Sequence, residues 1–191
     1  MKKLVVIDAC MRPESRTKRI LAPILESLEK RYETETFSLN DKGYPAVGEK
    51  ILRERADGYV PEEFVRMARA VAEADRIAIA APFWDMSFPS ALKVFFENIS
   101  LFNVTFADNG SRCVGLCRAE KVMYVTTRGM DIATGDPLEQ ATPYIKALSW
   151  LWGLGELHVV SAQNLDYSTP EQVDAKIAAA VAEGLKLCEE F

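Results

Sequence analysis

Residues 76–89 read Arg76-Ile77-Ala78-Ile79-Ala80-Ala81-Pro82-Phe83-Trp84-Asp85-Met86-Ser87-Phe88-Pro89. The first half is a short, β-rich apolar run without polar alternation, as expected of a strand covered on both faces of a parallel sheet. It stops at a proline and opens into two aromatics, a methionine and a second proline, with neither a helical nor a strand period. A helix is then expected over residues 90–99. Strand, irregular loop and helix in that order are the unit of a doubly wound α/β fold.

The same unit recurs outward in both directions. Toward the N-terminus, residues 3–8 form an apolar strand. Residues 15–31 carry Ile20, Leu21, Ile24, Leu25 and Leu28 at helical spacing, with Ser15 or Thr17 as N-cap. Residues 34–39 alternate as a second strand. Residues 40–60 are expected to be a long loop with a short helical piece, and a helix restarts over 61–73 with proline near its first position. Toward the C-terminus, residues 104–106 and 113–116 flank Asp108-Asn109-Gly110, a hairpin signal. A buried strand follows over 121–126, then a helix over 138–151, a strand over 157–162 and a closing helix over 170–190. Five apolar strands alternating with helices predict one parallel sheet covered on both faces. With no linker, repeat or second core, residues 1–191 are expected to form a single domain.

Composition narrows the function classes. The chain of 191 residues is 49% hydrophobic and 27% charged with a net charge of −5, so no basic footprint for nucleic acid is expected. The N-terminal apolar run breaks at Asp8 and leads into Arg12, Glu14 and Arg16, which reads as a first strand and not a signal peptide. No apolar stretch approaches the roughly 18 residues needed to span a bilayer. Four cysteines (Cys10, Cys113, Cys117 and Cys188) without a secretion signal are most simply reduced thiols of a cytoplasmic protein. Cys113 and Cys117 lack further ligands at metal spacing, and His158, the lone histidine, lies in an apolar strand as a packed structural residue.

In open parallel sheets ligands bind beyond the carboxyl ends of the strands, at the switch point. That selects three loops. The first, residues 9–17, opens a helix whose N–H groups and dipole attract anions, with Ser15 and Thr17 adding hydroxyls and Arg12 and Arg16 adding charge. An ordinary N-cap with solvated arginines explains it equally well. The second, residues 81–89, presents flat apolar surface suited to a planar ring, or simply covers the sheet end. The third, residues 126–131, offers Thr127, Arg128 and the permissive Gly129. Each alone is a weak signal, and three at one edge are a stronger one. No G-x-G-x-x-G, Walker or G-x-S-x-G pattern occurs, which disfavours a dinucleotide fold, a P-loop NTPase and a hydrolase.

The A-P-F-W-D-M-S-F-P-S-A-L-K segment at 81–93 resembles the A-P-M-Y-N-F-x-x-P-x-x-L-K segment of FMN-dependent NADH-azoreductases and quinone reductases. The resemblance continues, in the family's order, through Phe95-Phe96-Glu97, Val104-Thr105-Phe106, Asn109-Gly110 and Thr127-Arg128-Gly129. Ser15-Arg16-Thr17 stands in place of the family's serine-rich phosphate loop. This resemblance implies a flavodoxin-like fold with strand order 2-1-3-4-5. It implies FMN held without a covalent bond, NADH or NADPH as electron donor, and a quinone or azo compound as acceptor. Cys10, Ser15, Arg16 and Thr17 would surround the phosphate. Pro82, Phe83, Trp84, Asp85 and Met86 would line one edge of the ring, and Thr127, Arg128 and Gly129 the other. The family is homodimeric, and apolar Phe95-Phe96 and Trp150-Leu151-Trp152 are expected to form the contact. The sequence departs from the family at Asp85, where asparagine is usual, and at Met130, where a second glycine is common. A histidine often found after that glycine pair is missing. Two other readings remain: a flavodoxin-type electron carrier, and a non-catalytic flavin-binding protein docking protein partners.

Overall fold

The computed structural model describes residues 1–40 and 43–191. Its main sheet holds β1 (Lys2–Asp8), β2 (Tyr32–Ser38), β3 (Arg76–Ala80), β6 (Lys121–Thr127) and β7 (Glu156–Ala162), all parallel, in the order β2-β1-β3-β6-β7. Between them run α1 (Arg16–Glu29), α2 (Glu49–Ala56), α3 (Glu62–Glu73), α4 (Ser90–Ile99) and α5 (Ala141–Trp152), and α6 (Pro170–Glu190) closes the chain. The separate hairpin of β4 (Phe106–Asp108) and β5 (Cys113–Gly115) is antiparallel. Numbered by main-sheet strands alone, the order is the expected 2-1-3-4-5.

Strand alternation divides the core into two layers. Val5, Ile7, Ile77, Ile79, Val122 and Tyr124 face the layer of α3, α4 and α5. Leu4, Val6, Ala78, Ala80, Met123 and Val125 face α1 and α6. The alanines of β3 leave room for α1 to cross the middle of the sheet closely. Ile20, Ile24 and Leu28 of α1 are fully buried there, against Val173, Ile177 and Ala180 of α6. At roughly 1.5–3 kcal/mol for each large apolar side chain, such burial is the main term holding helix to sheet.

Caps fix the helix boundaries. Ser15 caps α1, its Oγ accepting from the Lys18 N–H at 3.2 Å, and Thr169 and Gln172 form a reciprocal capping box on α6. The expected helix over 138–151 begins later, at Ala141, because the Glu139 carboxylate takes the N–H groups of Ala141 and Thr142. The first hairpin strand lies two residues later than expected, at Phe106–Asp108, and the second ends one residue earlier, at Gly115. Thr105 is buried and its Oγ1 accepts the Leu101 N–H, while Asn103 sits at φ 62°, so residues 103–105 turn. Residues 41 and 42 of the expected long loop lie outside the described residues.

Phe95 and Phe96 are not surface groups: both are buried in an aromatic cluster with Phe37, Phe88, Tyr144 and Trp152. Of the three residues at 150–152, only Trp150 stands out in solvent, at 72% exposure. Alternating helix faces explain the difference, since residues 148, 149 and 152 turn inward and 150 outward. His158 is half-buried on edge strand β7, its Nε2 3.2 Å from Glu156 Oε2. Cys113 is exposed and Cys117 buried. Among the described residues no helix is long and apolar enough to cross a membrane.

Candidate functional site

A cleft of about 440 Å³ opens at the carboxyl ends of β1, β3 and β6. Arg12, Glu14 and Arg16 line one end, and Pro82, Phe83 and Trp84 the other. Thr127, Arg128 and Gly129 form its floor, and Leu165 and Asp166 its remaining wall. A cavity of similar size, about 430 Å³, lies beside Glu33, Glu35, Arg66 and Arg69, against the flank of the sheet. It has exposed ion pairs and no aromatic wall, and it sits away from the strand ends where ligands of such sheets bind.

The cationic end is built by ordinary turn chemistry. The Ala9 N–H donates to Ala80 O at 2.8 Å, which carries the chain across to β3. The Ser15 N–H donates to Arg12 O, and Ser15 Oγ caps α1. The N–H groups of Arg16 and Thr17 in the first turn have no intrahelical acceptor and face the loop with the positive end of the helix dipole. Ser15 and Thr17 are both buried, and Thr17 Oγ1 lies 2.7 Å from Thr127 Oγ1, binding the first loop to the third. Buried Asp8 accepts the Cys10 N–H and lies 3.3 Å from Lys18 Nζ. The Cys10 side chain packs into the α1 layer. Burial, with Asp8 beside it, pushes its thiol up to about 12. Cys10, expected beside the phosphate, is fully buried and does not line the cleft.

The aromatic end is held by backbone bonds to β6: Ala81 N–H to Val125 O and Phe83 N–H to Thr127 O. Trp84 and Ser87 then exchange two N–H···O bonds, 2.9 and 2.8 Å, around Asp85 at φ 48° and Met86 at φ 64°. Positive φ at both central residues is the type I′ turn, a shape in which asparagine and glycine are usual. Asp85 and Met86 stand exposed at the rim.

Arg128 contributes backbone, not charge, to the floor. Its side chain is fully buried beneath the third loop and donates to Ile132 O at 3.1 Å and Thr134 Oγ1 at 2.9 Å. Its guanidinium carbon lies 5.8 Å from the Phe83 ring centroid.

Leu165 and Asp166 were not singled out by the sequence. After β7 the chain folds back along the third loop, with Asn164 N–H to Met130 O, Leu165 N–H to Arg128 O and Asp166 N–H to Gly129 O. Asp166 Oδ1 accepts from Arg16 Nη1 at 2.7 Å, and its Oδ2 would lie 1.9 Å from a Cβ added to Gly129. A side chain at Gly129 would therefore have to displace the exposed Asp166 carboxylate from Arg16. The available signal was the strand-end rule itself, which applies to the loop after β7 as to the other three.

The donor set fits a planar ring carrying one phosphate. The first turn of α1 with Arg12, Glu14 and Arg16 stands at one end of the cleft, the Ser15 and Thr17 hydroxyls buried behind it, and a flat apolar wall stands at the other.

Comparison with known proteins agrees with this geometry. Residues 2–187 match the family described as flavodoxin-like fold, and the chain belongs to that family. It is 27% identical over 205 residues to an FMN-dependent NADH:quinone oxidoreductase 2 of Clostridium acetobutylicum, covering 100% of both chains. It is also 27% identical to an FMN-dependent NADH:quinone oxidoreductase of Lachnoclostridium phytofermentans, covering 96% of this chain and 94% of that one. Among solved structures, an FMN-dependent NADH-azoreductase from Bacillus anthracis in complex with FMN superposes with a TM-score of 0.84 at 20% identity. That match covers 100% of this chain and 99% of the other.

Proposed function

We propose that the chain is an FMN-dependent oxidoreductase that takes hydride from NADH or NADPH and delivers it to a quinone or azo acceptor. One observation carries the proposal: the cleft joins a helix N-terminus with buried hydroxyls to a flat Pro82-Phe83-Trp84 wall, at the switch-point edge of a flavodoxin-like sheet. Its relatives' names support the chemistry.

The first-turn N–H groups of Arg16 and Thr17 hold the phosphate. The Ser15 hydroxyl uses its oxygen to cap α1 and keeps its hydrogen free to donate. With Thr127 donating to Thr17, the Thr17 hydroxyl is likewise a donor. Bound FMN supplies the two-electron hydride chemistry, while the protein positions the ring and excludes water. Phe83 and Trp84 wall one edge of the ring, and the backbone of residues 127–129 lies against the other. Trp84, Met86 and Met130, each a little over one-third exposed, leave an apolar rim for the nicotinamide and the acceptor.

Residues 1–191 act as one domain and pair as a homodimer in the cytoplasm. Exposed Trp150 beside the β4–β5 hairpin favours an apolar contact, and the four free cysteines fit a reducing compartment. The test is anaerobic mixing of FMN-loaded protein with each nicotinamide, followed by a quinone. Bleaching and then recovery of the visible flavin band is expected of an enzyme whose cofactor carries the chemistry. Recovery only with a protein acceptor would make it a carrier, and failure to take up FMN would defeat the proposal.

A further inference from the structure

Tyr124, Thr126 and Arg128 occupy alternate positions of one chain run and lie together under the start of α5, where Glu139 is also fully buried. The charges of Arg128 and Glu139 act on each other across this interior. Burial lowers the Arg128 pKa, and Glu139 opposes that shift. Neither group is saturated. Arg128 Nε and Glu139 Oε2 have no hydrogen-bond partner among the described residues, nor do Tyr124 OH and Thr126 Oγ1. Burying a guanidinium and a carboxylate short of direct contact is a poor way to gain stability. The geometry they impose gives them a use.

Glu139 Oε1 takes the first two N–H groups of α5. The helix start it fixes presents the preceding N–H, that of the N-cap residue Gln140, to Met86 O at 2.9 Å. Arg128 pins the third loop through Ile132 and Thr134 while lying over Phe83. Asp85 and Met86 occupy a left-handed turn that non-glycine residues adopt only where their surroundings impose it. Both buried charges therefore end on the two sides of that turn.

We propose that Arg128 and Glu139 are a buried positioning pair, which holds the turn over residues 84–87 in the left-handed shape that walls the ring. The proposal rests on the FMN reading. Neither side chain reaches the ring, and both act through Phe83, Gln140 and Met86.

The experiment compares wild type, Glu139→Ala, Glu139→Gln and Arg128→Lys, with and without FMN, by FMN titration and by amide hydrogen exchange. Glutamine retains the Oε1 acceptor that caps α5, and alanine does not. Lysine keeps the charge of Arg128 but cannot fork to Ile132 and Thr134 together. For Glu139→Ala we expect FMN dissociation constants raised about tenfold or more, near 1.4 kcal/mol. The Gln140 and Ser87 amides should exchange at least about tenfold faster, with β1 and α6 unchanged. Glu139→Gln should restore both to within about threefold, and Arg128→Lys should loosen Ser87 while leaving α6 protected.

Equal losses in Glu139→Gln and Glu139→Ala would overturn the proposal, since charge and not the cap would then matter. Wild-type exchange and affinity in Glu139→Ala would overturn it too. If alanine at 139 prevents folding, Glu139→Gln and Arg128→Lys carry the test: unchanged Ser87 exchange in Arg128→Lys overturns it. Wild type that takes up no FMN would fell the functional proposal alone, because exchange without FMN still reports on the pair.

Discussion

The two ends of the cleft are built in opposite ways. At the phosphate end the backbone is shaped by local bonds: Ser15 caps the helix three residues on, Arg12 O accepts Ser15 N–H, and no residue leaves the ordinary backbone regions, while the long-range Thr17–Thr127 and Arg16–Asp166 contacts join side chains. At the ring end the turn over 84–87 runs against local preference, with an aspartate and a methionine at positive φ, and is kept by Gln140, Thr127 and Arg128 from distant parts of the chain, the last two acting on Phe83. One end takes its backbone shape from its own sequence. The other is imposed by the fold, and strain imposed in this way is a common property of ligand-facing loops.

If the phosphate end is an integrated cap and anion cradle, changing it should cost both stability and binding. Ser15→Ala with Thr17→Ala removes a buried N-cap and leaves Thr127 Oγ1 without its partner. The expected loss is about 2–4 kcal/mol of unfolding free energy, measured by urea denaturation. FMN affinity measured below the unfolding transition should fall about tenfold or more, because the lost donors face a charged phosphate. Loss of stability with unchanged affinity would place the phosphate elsewhere and dissolve the contrast.

The ring end should respond in its electronics. Asp85 puts a carboxylate where related proteins carry a neutral amide, and reduced flavin tends to bear negative charge on its ring. At a separation of about 5 Å and an effective dielectric near 20, the repulsion is roughly 3 kcal/mol. For a two-electron couple that is about 70 mV, so Asp85→Asn should raise the midpoint potential by up to that amount. Asparagine also suits a φ of 48° better than most residues, so the turn should not loosen. A redox titration at one pH decides the matter. A shift below about 10 mV, or one downward, means that the carboxylate points into solvent.

This difference also explains what could be read from the sequence. The succession of strands and helices, the Ser15 cap, the Pro61 and Pro170 helix starts and the bounds of α4 follow from periodicity and capping within a few residues of each element, whereas the strand order comes with the family resemblance. The direction of the Arg128 side chain does not, because burial beneath Ile132 and Thr134 depends on a loop that closes only in three dimensions. The same holds for Phe95 and Phe96. Two adjacent aromatics on a helix suggest an exposed patch, yet residues 92, 95, 96 and 99 form the inner face of α4. Asp166 escaped notice because its partner, Arg16, is 150 residues away in sequence.

The Arg16–Asp166 pair allows a smaller test of the phosphate end. Its side chains are 35% and 63% exposed, so the pair is worth about 0–1 kcal/mol. Asp166→Asn releases Arg16 and removes a negative charge from the cleft wall, and FMN should bind about two- to fivefold more tightly at low salt. The gain should shrink as ionic strength rises. No gain at low salt would show that Arg16 does not reach the phosphate.

The smallest expected effect probes the strain at the ring end directly. Met86 at φ 64° carries a left-handed penalty of about 1–2 kcal/mol relative to a residue without Cβ. Met86→Gly removes that penalty and produces the Asp-Gly pair that type I′ turns favour. Glycine in turn adds about 0.5–1 kcal/mol of chain entropy to the unfolded state. The methionine side chain is 38% exposed, so its removal costs only part of a buried side chain's transfer energy. These terms nearly cancel, and the urea midpoint should correspond to a change between no effect and a gain of about 1 kcal/mol. That outcome is unusual for deleting a large apolar side chain, and it separates strain from packing. A loss of more than about 1 kcal/mol would mean that Met86 is held by its side-chain contacts. The turn would then be no more strained than the cap at the other end.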